Sequence, residues 1–441
     1  MRLTPKLPGL TAQQGPELDP RHVYSLPELI DFAQAHNPET RAAWESAKQR
    51  AAQLGVSRAA LFPTLAVAAV AQQTRDRVLF GNAFFLQNIS SVLPVLTIYY
   101  SILDFGRRAT IETAEANVLA ADFSFNNTHR QIIYSVATAF FHLNSAIAQA
   151  GAAEATLLNA QTVQSAVEAR LNNGLATLPD VLQARSATAQ AAYDLETVRG
   201  VQRLAHGELA DALGVRPTEE FSIESLNFVP TPALSDSADA FINRALVQRP
   251  DLLAQAAQIK GDEAAVRSAR AQYFPSVNFS ANAGDQYQRG TQPPNPSVAS
   301  TGETWLAKFS ANWTIFDGRA RYNELDRARS AKRQDEAMLA AMKDHIADEV
   351  WAAYTNVETS LHRQEAARML LTASEQSYNA ALEAYRYGVR NFLDVVAAQR
   401  TLAQARSEQV QSQSEVLANF AQLAFATGDM ASSPRTGTAK P

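Results

Sequence analysis

The feature that most constrains this chain is an internal repeat. Shifting the sequence by 212 positions sets Pro38 on Pro250, Lys48 on Lys260, Arg58 on Arg270, Phe62-Pro63 on Phe274-Pro275 and Gly106-Arg107 on Gly318-Arg319. Further on the offset is 214, which carries Gly174 to Gly388, Asp180 to Asp394, Gln190 to Gln404 and Gly214 to Gly428. A unit this long, occurring twice and in order, marks a duplicated module and not a solenoid of short repeats. The fold must therefore be built from two similar halves. The boundaries read as an extended N-terminal segment at 1–24, a first repeat at 25–214, a linker at 215–235, a second repeat at 236–428 and a disordered tail at 429–441.

Each module has the same predicted plan. A short helix is followed by another that begins at Asn37-Pro38 or Arg249-Pro250 and stops at a Phe-Pro pair. Two strands come next, near 64–75 and 92–104 in the first copy and near 275–287 and 304–316 in the second. The strand-to-helix junctions are Asp104-Phe105-Gly106-Arg107 and Phe316-Asp317-Gly318-Arg319. Then comes a helix of some 65 residues, roughly 100 Å long, a tight tip and a returning helix. The tips lie near 171–180 and 385–394. In each, a glycine (Gly174, Gly388) suits the left-handed residue past a helix end, and an aspartate (Asp180, Asp394) meets the positive end of the next helix. Val350, Val357 and their neighbours, and Val396, Ala403, Val410 and Leu417, recur as coiled-coil seams. The linker residues Phe221, Ile223, Leu226 and Phe228 suggest a short strand.

The strands carry the unexpected signal. Trp305, Ala307, Phe309, Ala311 and Trp313 alternate with Leu306, Lys308, Ser310 and Asn312, and Val277, Phe279 and Ala281 with Asn278, Ser280 and Asn282. This is the pattern of a membrane barrel with a wet lumen, Trp305 and Trp313 serving as interface aromatics. It is also the pattern of a soluble sandwich. Four strands cannot close a membrane barrel, which needs at least eight, and open edges do not survive in lipid. A barrel must then be shared, with twelve strands in a trimer or eight in a dimer. The apolar stretch 78–91 reads as a loop.

Composition removes other classes. The net charge of -5 offers no basic face for nucleic acid. With 0 cysteines there are no disulfides, thiolate metal sites or lipid-anchor cysteine. Residues 1–24 hold no apolar run of signal-peptide kind, and an export leader is expected to lie outside them. No phosphate loop or hydrolase motif occurs. The acidic stretch with His345 and Glu349 on one helical face reads as a solvated stripe. No enzyme activity, cofactor or metal is expected.

Taken in order, these motifs resemble the TolC-like outer-membrane efflux proteins, or outer-membrane factors, over about residues 25–428. The resemblance implies a mainly helical fold with membrane β: a homotrimer whose twelve-stranded barrel, four strands per chain, sits on a long helical coiled-coil tunnel crossing the periplasm. It implies an outer-membrane duct for efflux or secretion, with a periplasmic adaptor, an inner-membrane RND or ABC transporter and outer-membrane lipid as partners. It also implies a gate at the tips formed by Asp180, Tyr385 and Arg390. Asp394 matches one aspartate ring of the family's best-known member, while Ala397 stands where a second would be. Adaptor contacts fall on Leu171, Asn173, Gly174, Leu175 and Leu178 of one tip, and on Tyr387, Gly388 and Val389 of the other. A soluble coiled-coil scaffold with a β-rich head is the alternative, and within the duct reading type I protein secretion competes with small-molecule efflux.

Overall fold

The computed structural model describes residues 18–225, 234, 236–291 and 296–431. Most of the segment expected to be extended at 1–24, the Leu226 and Phe228 part of the linker, residues 292–295 of the second connector and nearly all of the tail at 429–441 lie outside these residues. The elements run β1 (Val23–Tyr24), α1 (Leu26–His36), α2 (Pro38–Ala59), β2 (Thr64–Phe80), β3 (Ala83–Leu103), α3 (Arg107–Asn172) and α4 (Leu178–Leu213). They continue with β4 (Ser222–Ile223), α5 (Ala238–Gln248), α6 (Pro250–Ala271), β5 (Ser276–Thr291), β6 (Val298–Asn312), α7 (Ala320–Arg386) and α8 (Phe392–Thr427). The chain divides into two compact units, and neither coincides with a sequence repeat. One comprises residues 1–45, 123–253 and 341–441, and the other 46–122 and 254–340, so each draws on both copies.

The second of these units holds one antiparallel sheet in the order β2-β3-β5-β6. Two sequence expectations change here. The apolar loop at 78–91 is instead paired strand: Phe80 lies opposite Ala83 across a turn of Gly81 and Asn82, with Gly81 at φ 63°. A two-residue turn whose first residue has positive φ lets the strands run on, and pairing satisfies the backbone of this β-forming stretch. The second change is at Trp313. β6 ends at Asn312, so Trp313 lies outside the ladder and its indole Nε1 donates to the Tyr273 carbonyl at 3.1 Å. The alternation of side chains continues past the point where the backbone turns towards α7.

Residues directly opposite in an antiparallel pair share a face. The register therefore puts Leu65, Val67 and Ala69 with Pro94, Leu96 and Ile98, these with Ala281 and Ala283, and those with Ala307 and Trp305. Tyr100, Phe279 and Phe309 extend the same apolar face. Thr97, Tyr99, Asn278, Ser280, Asn282, Lys308 and Ser310 lie on the other. In β3 and β5 the apolar-face positions 92, 94, 96, 283, 285 and 287 are exposed, whereas 91, 93, 95, 282, 284 and 286 are buried or half-buried. Much of the apolar face is bare: Val67 is 82% exposed, Trp305 78% and Phe309 70%. Pro94 sits in a central strand without an N–H to donate, and the β3–β5 ladder omits it although it lies opposite Ala69 of β2. Beside that gap Gly284 lies opposite Val95, and any Cβ on it would collide with the Pro94 carbonyl, so only glycine fits this approach.

In the helices of the same unit, burial and the neighbouring Asp335 carboxylate push Asp262 up to about 6. A carboxyl raised on folding stabilises the protein below its ordinary value of 3.8, and that contribution is lost as pH rises through about 6. Thermal melts are expected to show higher stability near pH 5 than near pH 7.5, and Asp262→Asn should flatten that slope.

In the other unit, β1 and β4 form a short parallel pair, Val23 opposite Ser222 and Tyr24 opposite Ile223. They border a core in which Leu29, Val136, Phe140, Leu209 and Leu213 are almost wholly buried, with Phe221 of the linker among them. On α7 the predicted seam is buried at Ile346, Val350, Ala353 and Val357. On α8 Val396 of the seven-residue series is buried and Ala403, Val410 and Leu417 are half-buried, while the most buried positions include Val395, Leu402, Ala405, Val416 and Leu423.

Arg249, the residue before the second helix-starting proline, is nearly buried. It pairs with Asp251 at 2.7 Å and Glu349 at 2.6 Å and donates to the Ala426 carbonyl at 3.2 Å. Glu349 of the acidic stretch is thus an ion-pair partner. Arg130, also buried, lies over the Phe425 ring at 4.5 Å.

Candidate functional site

Both tips are built by the same local rules. After α3, the Leu175 N–H reaches the Arg170 carbonyl at 2.8 Å and the Gly174 N–H reaches Leu171 at 2.9 Å, with Gly174 at φ 70°. After α7, Val389 reaches Ala384 at 2.8 Å and Gly388 reaches Tyr385 at 3.0 Å, with Gly388 at φ 74°. These paired bonds satisfy the last carbonyls of each helix and require a left-handed residue that glycine supplies without strain.

The two aspartates differ in what they do. Asp180 accepts from the Thr177 N–H at 3.0 Å and the Thr177 hydroxyl at 2.7 Å, both on Oδ2, and closes the capping box of α4. In the twin, Asn391 is the cap and accepts from the Asp394 N–H at 3.1 Å. The Asp394 carboxylate instead faces Arg390 at 3.6 Å, with both side chains largely in solvent. Within one protomer Arg390 thus pairs with Asp394. Its expected partner across the repeat is Asp180.

Tyr385 is the buried member of the set. It packs in a core with Val167, Val181, Phe392, Val395 and Leu402, its ring 5.3 Å from Phe392. Its hydroxyl oxygen is buried and has no hydrogen-bond partner among the described residues. Burial pushes the phenol up from 10, Asp180 adds to this, and Arg170 opposes it. The Arg170 guanidinium lies over the Tyr385 ring at 4.8 Å and donates to the Arg386 carbonyl at 3.2 Å. This tie between the two hairpins is absent from the sequence reading. The only local hint was a cation in the last turn of α3.

Of the tip residues expected to meet a partner, Leu175, Leu178, Tyr387 and Val389 are exposed, Tyr387 to 81%, and Asn173, Gly174 and Gly388 share that exposure. Leu171 is half-buried and packs against the tip core, since it lies one turn before the glycine on the inner face of α3. Leu393, exposed at the start of α8, joins the apolar tip surface. Among the described residues no group of three or more His, Cys, Asp or Glu side chains is placed to hold a metal, and no helix is long and apolar enough to cross a membrane.

Duplicated long helical hairpins with capped tips, joined to a sheet bare on much of its apolar face, fit a channel-type outer-membrane protein. The chain belongs to the outer membrane efflux protein family, whose profile matches residues 29–215 and 241–429. It is 25% identical over 415 residues to protein CyaE of Bordetella pertussis, covering 94% of this chain and 86% of that one. It is 27% identical over 398 residues to the probable efflux pump outer membrane protein TtgC of Pseudomonas putida, covering 87% and 79%. The fold matches the solved outer-membrane channel OprN with a TM-score of 0.80 at 21% identity, covering 91% of this chain and 89% of that one. The protein is an outer-membrane channel that extends into the periplasm.

Proposed function

We propose that three copies of this chain close a twelve-stranded barrel and form a passive duct whose gate is the ring of helical tips. The observation that carries this is the sheet: much of its apolar face is uncovered, and β2 and β6 are edges with no partner among the described residues. A sandwich would bury that face, whereas lipid and neighbouring copies cover both face and edges. Leu182, Tyr193 and Leu204 add a second seam. They recur every eleven residues along α4, a spacing that keeps one helix face, and all three are exposed.

At the tips, the closed state is proposed to pair Asp180 with Arg390 and Tyr385. Among the described residues, Asp180 has one carboxylate oxygen outside its capping box, the Tyr385 hydroxyl lacks a partner, and Arg390 is held only by the long contact to Asp394. Breaking such a charge-assisted link lets hairpins splay. The exposed apolar tip residues suit an adaptor, and an inner-membrane transporter supplies the energy. The description of TtgC as a probable efflux pump outer membrane protein supports an efflux duct.

Asp394 would form a lone acidic ring, with Ala397 one turn on. In planar bilayers the wild-type channel is expected to prefer cations, and Asp394→Asn to lower the cation-to-anion permeability ratio severalfold. An anion-selective wild type, or selectivity untouched by the substitution, contradicts the ring.

A further inference from the structure

We infer that the apolar face of the sheet carries a binding belt for phosphorylated glycolipid of the outer leaflet, formed by Arg75, Arg77 and Arg289. The inference rests on the membrane barrel proposed above. The register extends the apolar face row by row. Ala71 lies opposite Val92 and that opposite Tyr287, then Gln73 opposite Ser90 and that opposite Arg289, then Arg75 opposite Asn88, then Arg77 opposite Leu86. Arg75, Arg77 and Arg289 therefore share the face of Leu65, Val67, Leu96 and Phe279, at the end of the strands away from the helices. All three are exposed, and no ion pair or hydrogen bond engages their guanidinium groups within the described chain.

The strand lengths locate the belt. β2 has 17 residues and β3 has 21, roughly 55 and 70 Å of chain, while an apolar band is about 25 Å tall. From Leu65 to Ala71 is about 20 Å along the strand, so the arginines begin where the apolar rows end. The connections at this end are the Gly81-Asn82 turn and the β5–β6 loop, whereas every helix attaches at the other end. With the helices in the periplasm, the arginines lie at the outer leaflet's headgroup level.

Beyond them the same face turns apolar again. Leu79 lies opposite Phe84, which is 72% exposed. Acyl chains against the apolar rows, phosphates against three guanidinium groups and a sugar ring against Phe84 match a phosphorylated glycolipid better than a phospholipid, which has no saccharide to place there. Two carboxylates share the face: Asp285 and Glu303, directly opposite each other, lie between the apolar rows and Arg289. They are four residues from Arg289 along β5, about 13 Å, and leave the arginines as the outermost charges of the face.

The test uses the full chain extracted as its oligomer and examined by native mass spectrometry with bisphosphorylated lipid A, its enzymatically dephosphorylated form, or phosphatidylglycerol. The wild type is expected to retain the bisphosphorylated glycolipid in preference to both others. Arg75→Gln/Arg77→Gln/Arg289→Gln together should weaken retention roughly a hundredfold, about fivefold per arginine. Equal retention of all three lipids by the wild type, which needs no variant, overturns the belt, as does a folded triple variant that binds like the wild type. If removing the arginines loosens the oligomer without changing lipid retention, they bind a neighbouring copy and the belt is also overturned. Failure of the wild type to yield any detergent-extracted oligomer removes the barrel reading itself.

Discussion

Asp180→Ala is expected to raise the closed-state conductance of the reconstituted channel, and Arg390→Ala to do the same. A charge-assisted hydrogen bond contributes about 1.5–3 kcal/mol, so its loss shifts a two-state gate by roughly 10- to 100-fold for each link broken. Asp180 has a second duty that must be separated from this one. It closes the capping box of α4 through Thr177, and losing a cap costs about 0.5–2 kcal/mol of helix stability. Thr177→Ala provides the control: it should lower stability by a similar amount and leave leakage unchanged. Single-channel recording of the three variants reads the difference. Unchanged leakage in both Asp180→Ala and Arg390→Ala would remove the gate, and equal leakage in Thr177→Ala would reduce Asp180 to a cap.

The largest stability effect is expected at Arg249. Its guanidinium is shared by Asp251, Glu349 and the Ala426 carbonyl. Arg249→Leu leaves two largely buried carboxylates facing each other and uncaps the end of α8, at a cost of about 3–5 kcal/mol. Replacing Asp251 and Glu349 as well should recover part of that loss, since the penalty is mostly the uncompensated charge. The pH dependence has a sign. Burial opposes ionisation of Asp251, but Arg249 wins and holds it below its ordinary 3.8. A carboxylate depressed on folding stabilises the protein above its ordinary value and loses that contribution as pH falls through the depressed one. Heat dissociation of the wild type should therefore drop steeply below pH 4, and less steeply in the triple replacement.

The parts legible in the sequence are those set by short-range rules. Gly174 and Gly388 occupy left-handed positions because a helix end needs them there, and the surrounding motif is six residues long. The outer limits of the four strands are partly legible: pairing can be read from alternation, but not where a ladder stops. That is why 78–91, apolar and broken by Asn88, Ser90 and Ser91, reads as a loop although it pairs. Trp313 keeps the alternation after the backbone has left the sheet. The tip chemistry is legible by position and not by contact. Arg170 meets the Arg386 carbonyl across 216 residues of sequence, and no periodicity reports so distant a pair. Burial of Leu171 likewise depends on which face of α3 meets the second hairpin. The division into two compact units escapes the repeat because copies are matched by sequence, while compactness follows which elements pack.

The central claim is that the sheet with its bare apolar face is one third of a membrane barrel. Its most direct test is the mass of the protein extracted from outer membranes, measured by native mass spectrometry before and after heating in detergent. The account predicts a detergent-dependent particle of three chains that runs as a compact oligomer unheated and as a 47.9 kDa monomer after boiling. A monomer or dimer before heating, or a particle soluble without detergent, contradicts it.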